Sequence, residues 1–171
     1  MDVRAALKDQ YHASLAMLRQ CVELCPDDLW VSGTHPRTFW RIAFHAAFFT
    51  HLYLGQNHEA LRPWPGRRDD LQRLWDVSED IEPYELPEEL EPCRQKEILD
   101  YIAFVDGLVD PTVDALDLDT QESGFSWYKN ISKLSHQILN IRHVQGHMGQ
   151  LSELLMGRGI DIDWVSRRPV V

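Results

Sequence analysis

The chain of 171 residues lacks several features that would place it in a class at once. No apolar run approaches the ~18 residues needed for a membrane-spanning helix. The start, MDVRAALKDQ, is amphipathic rather than a basic head with an apolar core, so it does not read as a secretory signal. Cysteine is scarce: Cys21, Cys25 and Cys93 form an odd set with no disulfide framework. Cys21 and Cys25 share a helix face, but two thiolates leave a zinc site incomplete, and all three read as buried reduced thiols. These absences predict a cytoplasmic protein without a membrane partner. A basic surface is missing too. With 17 Lys and Arg against 27 Asp and Glu, the net charge is −10, and the tightest basic clusters are only Arg67–Arg68 and Arg167–Arg168. Such a surface repels phosphate backbones, which argues against nucleic acid as a partner. No internal repeat is found, and the acidic run SEDIEPYELPEELE is the only biased tract.

What is present is an ordinary globular composition, 44% hydrophobic and 26% charged, long enough for one domain over residues 1–171 with a real core. Four segments carry helical periodicity, and none shows strand alternation. In the first, Leu7, Tyr11, Leu15, Leu18, Val22 and Cys25 recur at steps of three and four, with Asp2 as N-cap and Pro26 as stop. The second runs from Pro36 to Leu54, capped by Thr34 or His35 and ended by Gly55. It is apolar almost all round, as a helix buried on several sides must be. Residues 56–91 form a long irregular connection holding Pro63, Pro65, Gly66, Pro83 and Pro87, with a short helix expected around Asp69–Val77. The third helix begins near Pro92 and stripes Ile98, Ile102, Val105 and Val109, with Pro111 kinking it or opening a new turn. DTQESGFSWYKN is a loop, and the fourth helix spans Ile131 to Met156 before Gly157 and Gly159. The pattern predicts an all-α four-helix bundle.

The chemistry is concentrated in histidines. His143 and His147 stand four residues apart, one turn above the other, and both imidazoles can reach one ion at ~2.0–2.1 Å. Leu139, Leu151 and Leu154 fall on the same side of the wheel, so the pair faces inward. The spacing alone is ambiguous, since histidine pairs also decorate surfaces, and Val144 after His143 excludes the HExxH protease motif. A third ligand has to come from another helix. His45, between Phe44 and Ala46 in the most apolar segment, is an imidazole whose burial needs a partner. Three neutral imidazoles leave a coordination position open, the catalytic rather than the closed structural pattern. His136, about two turns (~10 Å) before His143, is too far to share the ion, and His51 projects to another face than His45. His12, His35 and His58 read as surface residues. Gln150 returns to the histidine stripe one turn past His147. It is equally a polar helix residue or a group that orients a ligand. Glu153 lies on another face, so no carboxylate is placed as a general base. Trp40, Trp64, Trp127 and Tyr128 are candidates for lining a substrate pocket, although aromatics at these spacings commonly belong to a core.

HVQGHMGQLSELLMGRG resembles the signature of the DinB/YfiT-like superfamily of metal-binding bundles: two histidines four apart, a basic position, Gly-Gln and a leucine-rich helix end. Met148 departs from the basic residue. FWRIAFHAAFFTHLYLG is similar to that family's second helix, which carries a histidine ligand. The long 56–91 connection is not part of the shared pattern. The resemblance implies a DinB/YfiT-like four-helix bundle with a metal triad of His45, His143 and His147. It further implies a metal-dependent enzyme acting on a small molecule, by transfer of a low-molecular-weight thiol or by hydrolysis. Zinc or nickel leads among the divalent ions, with manganese or iron next, since three imidazoles discriminate weakly. The alternative from another class is a non-catalytic metal-binding or dimerising bundle, and a homodimer fits either reading.

Overall fold

The computed structural model describes residues 2–33, 37–67 and 91–169, and every regular element among them is helical. Helix α1 spans Val3–Glu23, α2 Asp27–Trp30, α3 Phe39–Leu54, α4 Gln95–Ala115 and α5 Lys133–Met156, with a 3-10 turn at His58–Ala60. The helix expected around Asp69–Val77 lies outside the described residues.

The ends of the helices follow local chemistry. Asp2 accepts a hydrogen bond from the Ala5 amide at 3.0 Å and so caps α1. Pro26 does end that helix region but also opens the short α2, whose Leu29 and Trp30 are buried; this extra turn was not anticipated. Helix α3 starts later than predicted: its N-cap is Thr38, in extended conformation, while positions 34 and 35 lie outside the described residues. Gly55 caps its far end, as expected. Helix α4 continues through Pro111 to Ala115, so the proline does not open a separate turn. Val109 and Val113, both fully buried, hold the segments on either side of it in the core. Ser132 caps α5 by accepting from the Ser135 amide at 3.3 Å.

The long helices pack in a closed cycle: α1 against α4 and α5, and α3 against the same two. Leu7, Leu15, Leu18 and Val22 of α1 meet Ile98, Ile102, Val105 and Val109 of α4 and Leu151 and Leu155 of α5 in one core. Each fully buried Leu or Ile contributes ~1.5–3 kcal/mol of transfer free energy. Nearly all of α3 is buried, from Phe39 through Ala47 and again from Thr50 through Leu54. That burial carries His45 into the interior. Cys21, Cys25 and Cys93 are buried and unbridged. No helix among the described residues is long and apolar enough to cross a membrane.

Candidate metal centre

Helix α3 presents His45 to α5, and α5 answers with His143 and His147. The Nε2 atoms meet: His45 Nε2 to His143 Nε2 is 3.2 Å, and His147 Nε2 to His143 Nε2 is 3.1 Å. One ligand atom from each of the three lies within 4.8 Å of the others, close enough to hold a metal ion. Two nitrogens bound to one ion at ~2.0–2.1 Å are separated by roughly 3.0–3.4 Å, which matches both contacts. A single N–H can lie along only one of them, so one proton cannot satisfy the cluster as a shared cation can.

Electrostatics keep the lone pairs available. Burial, reinforced by His147, His143 and Arg37, pushes the His45 pKa down to about 2. Burial and then His147 lower His143 to about 4, and burial lowers His147, against the opposing effect of the hydrogen bond it makes to Gln150 Oε1. All three imidazoles are neutral at physiological pH, the form that ligates metals.

The surroundings orient the donors. Gln150 Oε1 lies 3.0 Å from His147 Nδ1, and with Nδ1–H donating, the Nε2 lone pair points into the cluster. The outer nitrogen of His143 is buried without a hydrogen-bond partner among the described residues, so its tautomer is not held from outside in the same way. Phe49 packs its ring 4.5 Å from that of His45 and 5.5 Å from that of His143, walling one side. Tyr53 extends this wall towards His143 and accepts a hydrogen bond from Trp127 Nε1 at 3.3 Å. The sequence reading missed Phe49 and Tyr53, although they follow His45 at steps of four along one helix stripe.

The four aromatic candidates divide. Trp127 and Tyr128 pack on Tyr53 and reach the centre through it. Trp64 stacks on Tyr101 of α4 at 4.6 Å, and Trp40 is a buried core residue beneath the Arg41 guanidinium. Packing in the core therefore accounts for the last two. His136 is fully buried in a box of Phe125, Tyr53 and Tyr128, and His51 hydrogen-bonds the Tyr101 hydroxyl at 2.9 Å.

His12, expected at the surface, is instead buried. Asp106 of α4 holds its Nδ1 at 2.6 Å and Asp110 its Nε2 at 3.2 Å, with Arg168 of the C-terminal tail against both His12 and Asp110. These partners come from segments about a hundred or more residues away, which periodicity within one helix does not reveal.

Set beside known proteins, the chain matches no family model, no curated protein and no solved structure.

Proposed function

We propose that this centre holds a divalent metal ion and that the protein is a metal-dependent enzyme acting on a small molecule, built as a DinB/YfiT-like four-helix bundle. The observation that carries the reading is the meeting of three neutral Nε2 atoms from α3 and α5 at 3.1–3.2 Å. Zinc or nickel suits an all-imidazole set best, with manganese or iron next. Three protein ligands leave room for a reactant, and a bound divalent ion supplies Lewis acidity that lowers the pKa of a water or thiol placed there. The protein's own part is positional. Gln150 fixes the His147 tautomer, Phe49 keeps water from one flank, and burial keeps the donors unprotonated.

Two reactions suit such a centre, transfer of a low-molecular-weight thiol to an electrophile and metal-assisted hydrolysis. A second reading, a non-catalytic metal-binding bundle that dimerises, draws on Ile138 and Met156, both more than half exposed on α5. Incubating metal-loaded and chelated protein with cysteine and a model electrophile tests the choice. Metal-dependent consumption of the thiol is expected; no turnover in either form across the common thiols overturns the catalytic reading.

A further inference from the structure

Four buried polar atoms along one stripe of α5 have no hydrogen-bond partner among the described residues: His136 Nδ1 and Nε2, Asn140 Oδ1 and His143 Nδ1. Their residues follow one another at steps of four and three, so neighbouring side chains leave the helix about 5–6 Å apart. Both imidazoles also border one ring of α3, since Tyr53 lies 5.1 Å from His136 and 6.4 Å from His143. His136 and Asn140 are fully buried.

The four atoms are chemically complementary. Thr50 O can only accept, and it fixes the Asn140 amide: Nδ2 donates to it at 3.0 Å and to the Tyr11 hydroxyl at 3.0 Å, which leaves Oδ1 as an acceptor to spare. Burial, and then Lys133, holds the His136 pKa down to about 4, so at neutral pH its ring carries one N–H and one lone pair. His143, with its Nε2 lone pair turned to His45 and His147, carries its proton on Nδ1. The stripe therefore offers two donors and two acceptors, none bonded directly to another.

Packing does not explain the imidazole at position 136. Phe125, Tyr53 and Tyr128 box it at 4.8–5.3 Å, a setting that a phenyl ring would fill without bringing in polar atoms. Buried polar groups of this kind are satisfied by internal water, which both donates and accepts and needs two or more polar partners. We infer that water held inside the bundle joins His136 and Asn140 to the outer nitrogen of His143, a second internal site beside the metal centre. His136 and Asn140 are then positioning residues. Through the water they keep the His143 proton on Nδ1 and its Nε2 lone pair turned to the ion, as Gln150 does directly for His147. That role rests on the metal reading above; the water itself does not.

The test uses the full chain with isotope-labelled histidine, both metal-free and loaded with zinc. Two-bond nitrogen–proton correlation assigns each ring's tautomer, and cross-relaxation between water and the ring N–H protons reports internal water of long residence. Such a contact is expected at the His136 N–H in both forms, and at Nδ1–H of His143 in the zinc form. In His136→Phe the contact at His143 is expected to vanish and zinc affinity to fall about tenfold, the lower end for an outer partner, with His136→Gln returning it to within about threefold. A purely structural role would move the unfolding transition and leave the His143 signals alone. No water contact at His136 in either form overturns the inference, and so does His136→Phe that keeps both the His143 contact and the zinc affinity. Failure to bind zinc overturns the metal reading, a distinct result, and the metal-free spectra still decide on the water. Circular dichroism confirms that each variant keeps its helices.

Discussion

The two halves of α5 bury polar side chains for different ends. In the first half Lys133, Gln137 and Asn140 are fully buried, and each serves the end of α3. Lys133 Nζ donates to Gly55 O at 3.2 Å, Gln137 Nε2 to Tyr53 O at 2.9 Å and Asn140 Nδ2 to Thr50 O at 3.0 Å. These carbonyls lie at or near the C-terminus of α3, where helix geometry leaves acceptors unpaired and the dipole favours a cation. In the second half the Nε2 atoms of the partly buried His143 and His147 face each other and that of His45. Donor meeting acceptor marks a joint of the fold. Three imidazoles gathered from two helices mark a place close-set enough to hold a metal ion.

The sharpest way to break this contrast is to remove one convergent imidazole. His143→Ala is expected to weaken metal binding by more than about 100-fold, judged against the 10–100-fold typical of outer partners, with helix content and melting of the apo form nearly unchanged. Metal titration with circular dichroism checks both halves of the claim. Gln137→Ala should do the reverse. It removes the donor to Tyr53 O and the acceptor of the Tyr11 hydroxyl, 2.7 Å away, at a cost on the order of 3 kcal/mol of stability by urea unfolding. Metal affinity in that variant should stay within a few-fold.

Acid separates the regions further. His51 and His136 are both held down to about 4, each chiefly by burial, against an ordinary value of 6.5. The unfolded chain therefore binds these protons first as pH falls. Their contribution is fully present above about 6.5 and is lost progressively towards about 4, on the order of 2–3 kcal/mol per histidine. Unfolding curves from pH 7 to pH 4 should show this decline, and replacing His136 with Phe should flatten part of it. The smallest effect is expected at Gln150. Gln150→Ala should lower metal affinity by about tenfold, because the His147 tautomer is no longer fixed, while Gln150→Glu should retain it.

How much of this could be read in advance depended on the range of each interaction. The helices of α1 and α5 announce themselves through apolar steps of three and four, the Asp2 cap and the glycines near their ends. His45 stood out because the imidazole sits among apolar neighbours in FWRIAFHAAFF, and the spacing of His143 and His147 is itself local. What was hidden is long-range. Lys133 looks like a surface lysine until the C-terminus of α3 is placed beside it, and His12 looks exposed until Asp106, Asp110 and Arg168 close around it.

The central claim is that three imidazoles from two helices form one metal site. Elemental analysis of the purified chain, joined to X-ray absorption at the edge of whatever ion is found, tests it most directly. The account predicts about one divalent ion per chain with three imidazole nitrogens at ~2.0–2.1 Å, as expected for zinc. A protein that retains no ion and takes up none on reconstitution would contradict it.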